Sequence, residues 1–93
     1  MYEIISAKKF KSAYKKLLKS GRFDQGEFKN IIELLKKDGS LPPKYRDHVL
    51  KGDMQEKREC HISSDLLLIY EIHLHLKVIV FTDIGTHSKI FDR

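Results

Sequence analysis

The chain has 93 residues, of which 41% are hydrophobic and 33% charged, and its formal net charge at pH 7 is +5. These values exclude a disordered chain and predict one globular domain over residues 1–93, with a shallow core of helices on one sheet. The longest apolar stretch, residues 66–84, is broken by charged and histidine side chains, which excludes a membrane span, and the single cysteine favours a reducing cytoplasm.

The first part of the sequence predicts a strand followed by a helix. Tyr2, Ile4 and Ile5 are β-branched or aromatic and predict a short opening strand. A helix is predicted over residues 7–20, because apolar side chains recur at three- and four-residue spacing, at Phe10, Tyr14, Leu17 and Leu18. Lysines occupy its other face, and Gly21 is placed to end it.

A second helix is predicted from a capping box, Asp24 followed by Glu27, to about Asp38. Its inward face consists of Phe28, Ile31, Ile32, Leu34 and Leu35. Pro42–Pro43 then prevents the helix from resuming. Two amphipathic helices joined by a short loop form a hairpin, which must bury its apolar stripe on a sheet.

The rest of the sequence predicts that sheet, after a turn at residues 51–53. Residues 58–63 alternate, with Cys60 and Ile62 on one face and Glu59, His61 and Ser63 on the other. Residues 66–72 are apolar on both faces, as in a central strand, and residues 76–84 repeat the pattern. Gly85 is expected to break the last strand and leave a short tail over 86–93. The predicted fold class is α+β: an N-terminal strand and a two-helix hairpin packed on a mostly antiparallel sheet.

Four polar residues are candidates for a catalytic cluster. The alternation places His61 on the sheet face that the helices do not cover. His48 lies one short loop before the sheet, Asp65 at the turn after the His61 strand, and His87 just beyond the last strand. If the strands of the two hairpins are neighbours, these four side chains converge at one end of the sheet.

Such a cluster suits RNA cleavage without a metal. The reaction needs a base for the 2′-hydroxyl proton, an acid for the leaving 5′-oxygen, and cations for the charge on the phosphoryl group. Histidine titrates near neutrality and serves as either base or acid. Arg58 can hold phosphate oxygens with its bidentate fork, and Arg46 and the helix lysines can hold the RNA strand electrostatically.

Other interpretations of the same residues stay open at this point. The histidines are also compatible with solvated or loop-bonding roles, Asp65 with an ordinary turn, and Cys60 with a buried apolar filler. A zinc site is disfavoured, because the spacing fits no standard ligand motif and Cys60 and His61 point to opposite strand faces. A non-catalytic module that binds RNA or a protein partner is the remaining alternative.

Three blocks of sequence carry a resemblance that covers essentially the whole chain. They are Tyr45-Arg46-Asp47-His48-x-Leu50-x-Gly52, Arg58-Glu59-Cys60-His61-Ile62-x-x-Asp65-x-Leu67-Leu68-x-Tyr70 and Gly85-Thr86-His87-Ser88-x-x-Phe91. With the length and the order of elements, they resemble the YafQ branch of the RelE toxin superfamily. Two positions depart from that pattern: Leu66, where this branch often has tryptophan, and Asp83, near a position that commonly carries arginine.

The resemblance implies the toxin of a type II toxin–antitoxin pair, which enters the ribosomal A site and cleaves mRNA there without a cofactor. It implies that His48, His61 and His87 are the catalytic histidines, that Asp65 is their acidic partner, and that Phe91 helps to place the RNA. The implied partner is a DinJ-like antitoxin with a ribbon-helix-helix half, in a heterotetramer or larger complex that binds operator DNA through the antitoxin. The implied fold, a sheet topped by two N-terminal helices, agrees with the residue patterns.

Overall fold

The computed structural model describes residues 1–21, 23–50 and 57–91. Its elements are, in chain order, β1 (Glu3–Ser6), α1 (Lys8–Ser20), α2 (Gln25–Asp38), a 3₁₀ turn (Pro43–Tyr45), β2 (His48–Val49), β3 (Arg58–His61), β4 (Leu66–His73), β5 (Val78–Thr86) and α3 (His87–Phe91). Within these residues the strands form one sheet in the order β1-β5-β4-β3-β2, antiparallel except for the parallel pair β1 and β5. The predicted α+β architecture is confirmed.

The ends of the two long helices follow the predicted local signals. Gly21 takes a left-handed conformation, with φ of 72°, directly after α1. At the start of α2, the Asp24 carboxylate accepts a hydrogen bond from the Glu27 backbone N–H at 3.0 Å, which satisfies one of the unpaired donors of the first turn. The predicted N-cap at Asp24 is therefore confirmed, but the second half of the capping box is not formed among the described residues, because the Glu27 carboxylate accepts from Asn30 and pairs with Lys44 instead.

Helices α1 and α2 cover one face of the sheet. The main core lies between them and consists of Phe10, Phe28, Ile31, Leu35, Tyr45, Cys60, Ile62, Leu66, Leu68, Tyr70, Ile79, Phe81 and Ile84. Leu18, which the spacing placed inward, is 40% exposed. It lies on the flank of the apolar stripe, and Ala13 packs against the core instead.

Strand β3 turns alternate residues to opposite faces of the sheet, as predicted. Cys60 and Ile62 point into the core under the helices. On the other face, Leu67 and Ile69 of β4 form a second small cluster with Ile90 of α3. Strand β4 lies in the middle of the sheet, and its first five residues are buried, which confirms its prediction as a central strand.

The C-terminal region differs from the prediction. Strand β5 continues through Gly85 to Thr86, and α3 follows where a tail was expected. The pairing of β4 with β5 is irregular between Ile69 and Tyr70, and leaves Thr82 as an extra residue on β5. Such a bulge shifts the alternation of the strand by one position, a change that the periodicity of the sequence alone does not reveal.

The bulge gives Gly85 a packing role. This residue is buried beneath α3, and a Cβ atom added there would lie 3.8 Å from Cγ1 of Ile90. Glycine inside a strand often marks the close approach of another segment. Strand β2 was not predicted, and the turn predicted at residues 51–53 lies outside the described residues. No described helix has the length and apolar character needed to cross a membrane.

Candidate active site

Two predicted histidines lie beside one buried carboxylate on the sheet face opposite the long helices. Glu59 and His61 share that face because they are two residues apart on β3, and His48 joins them because it pairs with Glu59 in the β2–β3 register. Nε2 of His48 lies 3.3 Å from Oε1 of Glu59, and Nε2 of His61 lies 3.5 Å from the same oxygen. Glu59 itself is 5% exposed.

The segment before β2 has a defined backbone that presents His48. The 3₁₀ turn ends at Arg46, which takes a left-handed conformation with φ of 51°. The Arg46 carbonyl oxygen lies 2.9 Å from Nδ1 of His48, within hydrogen-bonding distance. The Arg46 side chain is exposed. His48 thus has Nδ1 within hydrogen-bonding distance of the loop, and its Nε2 at ion-pair distance from Glu59 of β3.

Asp47 anchors the same segment to the opposite face of the sheet. Its carboxylate accepts two hydrogen bonds from Arg58, from Nε at 3.1 Å and Nη2 at 3.0 Å, and one from the Tyr70 hydroxyl at 2.6 Å. The hydrogen bonds to Asp47 raise the pKa of the Arg58 guanidinium. Burial, together with the hydrogen bond to Asp47, raises the pKa of Tyr70.

The structure does not bring Arg58 to the histidines. Arg58 lies on the same face of β3 as Cys60, and it pairs with Tyr70 of the main core. Arg58 is predicted from the sequence to bind phosphate with its guanidinium, but Nε and Nη2 of that group both donate to Asp47. The strand alternation that turns His61 toward the open face turns Arg58 away from it.

Helix α3 carries His87 and Phe91 on the open face. Ile90 packs on Leu67 of β4, which pairs with His61 on one side and Gly85 on the other. The helix therefore covers the strand next to the one that carries His61. The rings of His87 and Phe91 lie 4.9 Å apart between centroids, and both side chains are exposed.

Asp65 lies at the rim of a groove at the end of the sheet. This groove has a volume of about 670 Å³ and runs between α1, the β3–β4 turn, the end of β5 and α3. Its lining includes three cations, Lys9, Lys16 and Lys89. Among the described residues, Asp65 makes no hydrogen bond or ion pair with His48, His61 or His87. Of the four predicted catalytic residues, His48 and His61 thus lie beside the same carboxylate. His87 lies at the start of α3, and Asp65 lies in the β3–β4 turn.

The two departures from the family pattern have structural environments of their own. Asp83 is 5% exposed, and its carboxylate lies 3.4 Å from Nζ of Lys9 and accepts a hydrogen bond from the backbone N–H of Ile84. Its negative charge is therefore balanced within the fold. Leu66 is 6% exposed and packs in the main core.

Glu59 is not among the residues that the sequence pattern singles out as functional. The alternation of β3 already places it on the face of His61, but the signal that distinguishes it is the pairing with β2, a strand of two residues with no periodicity to detect. Among the described residues, no group of three or more histidine, cysteine, aspartate or glutamate side chains is arranged to hold a metal ion.

Comparisons with known proteins agree with this fold. The family model described as "Bacterial toxin of type II toxin-antitoxin system, YafQ" matches residues 2–92. A curated protein of Haemophilus influenzae that is named as a YafQ toxin is 39% identical over 51 residues, which are 53% of this chain and 50% of that protein. The aligned region thus spans half of the length of that relative.

Two solved structures extend the likeness to nearly the whole chain. A metal-bound toxin from Helicobacter pylori is 38% identical, with a TM-score of 0.87 over 98% of this chain and 100% of that one. A chain of the Escherichia coli DinJ–YafQ complex is 28% identical, with a TM-score of 0.82 over 98% of this chain and 99% of that one. This protein belongs to the YafQ family of bacterial toxins of type II toxin–antitoxin systems.

Proposed function

We propose that this toxin is a ribosome-dependent endoribonuclease, which cleaves mRNA in the ribosomal A site and so inhibits translation. The observation that carries the proposal is the histidine pair: His48 and His61, far apart in sequence, lie within 3.5 Å of the same carboxylate oxygen on an open sheet face. Imidazoles on an accessible surface can take and give protons near neutral pH, as RNA cleavage requires, and His87 adds a third imidazole on the same face.

The proposed mechanism is acid–base catalysis by side chains, without a metal ion. One imidazole takes the proton of the 2′-hydroxyl, and the 2′-oxygen attacks phosphorus to form a 2′,3′-cyclic phosphate. The bond from phosphorus to the 5′-oxygen then breaks, and a second imidazole gives that oxygen a proton. His48, His61 and His87 are the proposed participants, with Asp65 as their acidic partner at the end of the sheet.

Substrate binding is proposed to use the exposed groups around the pair. Phe91 is 39% exposed beside His87, where its ring can stack on a base. Arg46 is exposed, and Lys16 lies in the groove that Asp65 borders. These cations, on a chain with a net charge of +5, favour an RNA backbone. Arg58 is left out of the proposed contacts because Asp47 occupies its fork.

A metal has no step in this proposal. The Helicobacter pylori relative was solved in a metal-bound form, but in the described part of this chain no group of three or more histidine, cysteine, aspartate or glutamate side chains is arranged to hold a metal ion. Cleavage that persists in excess EDTA is the expected result, and cleavage that a chelator abolishes would contradict the proton-only chemistry.

The proposed partner is an antitoxin. A chain of this fold was solved in the Escherichia coli DinJ–YafQ complex. By this likeness, a DinJ-like ribbon-helix-helix protein would bind this toxin in a heterotetramer or larger complex, and only the antitoxin would contact operator DNA. Ribosomal mRNA as the substrate places the action of the toxin in the cytoplasm.

The cleavage proposal is tested by expressing the toxin and its variants and mapping mRNA ends by primer extension. His61→Ala and His87→Ala should each reduce cleavage on the order of 10²–10⁴-fold, because each removes one proton transfer. His75→Ala is the matched control, since this histidine is exposed at the β4–β5 turn, away from the pair. Growth arrest with intact mRNA would reject the nuclease in favour of a binding-only toxin.

A further inference from the structure

Glu59 is a buried acid with no role in the function proposed above. It is 5% exposed, yet it lies on the sheet face that carries the histidines. Its single oxygen Oε1 is near Nε2 of both His48 and His61, at 3.3 Å and 3.5 Å. A buried carboxylate needs partners, and here the two imidazoles are those partners.

The contact with Glu59 distinguishes the two nitrogens of His61. Nε2 is the ring nitrogen nearest the Glu59 carboxylate, at an ion-pair distance of 3.5 Å, so the negative charge of the carboxylate favours the proton on this nitrogen. Among the described residues, Nδ1 of His61 has no hydrogen-bond partner, and 22% of the side chain is exposed. The tautomer protonated at Nε2 therefore leaves the Nδ1 lone pair available to a substrate hydroxyl.

The ring of His48 is in a different situation. Nδ1 lies 2.9 Å from the Arg46 carbonyl oxygen, and Nε2 lies 3.3 Å from Glu59. The carbonyl oxygen only accepts, so Nδ1 is the N–H of this ring. The hydrogen bond to Arg46 therefore fixes the orientation of His48 and turns its Nε2 toward the Glu59 oxygen that His61 also faces.

We propose that Glu59 is a positioning residue, which holds His61 in the Nε2–H tautomer so that Nδ1 is the base of the reaction. His48 is the second imidazole beside Glu59, and the proton for the leaving oxygen comes from His87, which makes no hydrogen bond or ion pair with Glu59 in the part of the chain that the structure describes. This assignment rests on the proposed nuclease function. A carboxylate that fixes the tautomer of a catalytic imidazole is an established arrangement in hydrolytic enzymes.

Glu59→Leu is the variant that removes the acceptor at little cost in packing. Leucine has a similar volume, and apolar replacement of a buried charged group is often tolerated. The matched control is Glu71→Leu, because Glu71 lies 3.1 Å from Nε2 of His73 on the same sheet and outside the candidate site. Glu59→Asp keeps the charge and tests rescue. Thermal unfolding should show that all three variants remain folded.

Two measurements on the full chain decide the proposal. In ¹⁵N–¹H NMR spectra, the Nε2–H tautomer of His61 should predominate in the parent and in Glu71→Leu, and a mixture should appear in Glu59→Leu. In single-turnover cleavage of ribosome-bound mRNA, Glu59→Leu should lower the maximal rate on the order of 10²-fold without changing the half-saturating concentration. Glu59→Asp should recover part of both signals.

The outcomes separate this inference from the nuclease proposal. If the parent cleaves no RNA, the nuclease proposal fails, while the NMR spectra still report whether Glu59 controls the His61 tautomer. An unchanged His61 tautomer in Glu59→Leu overturns the inference, whatever the cleavage rate. If Glu59→Leu does not fold, Glu59→Asp replaces it. Parental spectra together with a parental rate in Glu59→Asp would support the proposal that a carboxylate at position 59 fixes the tautomer of His61. A lost rate with parental spectra in Glu59→Asp would overturn it.

Discussion

The anchor formed by Asp47 gives a quantitative test of how the loop before His48 is held. Asp47→Ala removes three hydrogen bonds at once, two from Arg58 and one from Tyr70. The Tyr70 side chain is 0% exposed, so its hydroxyl would be left buried without a partner. Leaving such a group unsatisfied costs about 1–3 kcal/mol.

Arg58 adds a second contribution to the same change. Breaking a fully buried ion pair costs about 3–5 kcal/mol, but the Arg58 side chain is 31% exposed, so water reduces this contribution to about 1–2 kcal/mol. Together the two contributions predict a loss of about 2–5 kcal/mol in the free energy of unfolding, a large share of the roughly 5–15 kcal/mol typical of a domain. At about 4–8 °C per kcal/mol for a domain of this size, the midpoint of thermal unfolding should fall by about 8–40 °C.

Urea unfolding followed by circular dichroism at neutral pH measures this loss. Tyr70→Phe keeps the ring and should cost less, about 1–2 kcal/mol, because Arg58 still binds Asp47. The double variant Asp47→Ala/Tyr70→Phe should cost at least 1 kcal/mol less than the sum of the single variants, since the orphaned hydroxyl is gone. A loss below about 1 kcal/mol for Asp47→Ala, or additivity of the two changes within about 0.5 kcal/mol, would refute the anchor.

Two further predictions concern alkaline stability and the seat of α3. Burial raises the pKa of Cys60 and of Tyr70, so as the pH rises these two groups lose their protons in the unfolded chain before they do so in the folded protein. The free energy of unfolding should therefore be constant below about pH 8.5 and should fall above it, by up to about 1.4 kcal/mol per pH unit for each group. Urea unfolding between pH 8 and pH 11 measures this slope, and Tyr70→Phe should flatten it above about pH 10; a slope unchanged in that variant would contradict the assignment. Gly85→Leu should displace α3 and abolish mRNA cleavage, whereas Gly85→Ala, whose Cβ would lie 3.8 Å from Ile90, should keep it; equal activity of both variants would show that α3 does not depend on this contact.

The helices and central strands were predictable because local signals determine them. The stripe around Phe10, the capping pair Asp24 and Glu27, and the apolar run of β4 each give an unambiguous period or cap. Strand alternation also gave the correct face for Cys60 and Ile62. These features need no knowledge of distant contacts, so the sequence pattern alone predicts them.

The features that the sequence did not predict are those determined by contacts between segments distant in the chain. The bulge at Thr82 moves Gly85 beneath α3, and no local pattern of the last strand contains that information. The pairing of β2 with β3, which brings His48 to Glu59, depends on two residues only. Arg58 was predicted to bind phosphate because a guanidinium can donate two hydrogen bonds to a phosphate group. In the structure, Asp47, eleven residues earlier, accepts those two hydrogen bonds.

On strand β3, the residues that stabilise the fold and the residues near the proposed catalytic histidines point to opposite faces of the sheet. Arg58 points to the helix side, where it anchors Asp47, and Glu59, the next residue, points to the open side, where it lies between two histidines. Neighbouring acidic and basic side chains on a strand do not pair with each other, because they project to opposite faces. Changes at Arg58 should therefore act mainly on the free energy of unfolding, and changes at Glu59 mainly on the histidines, although the two residues are adjacent in the chain.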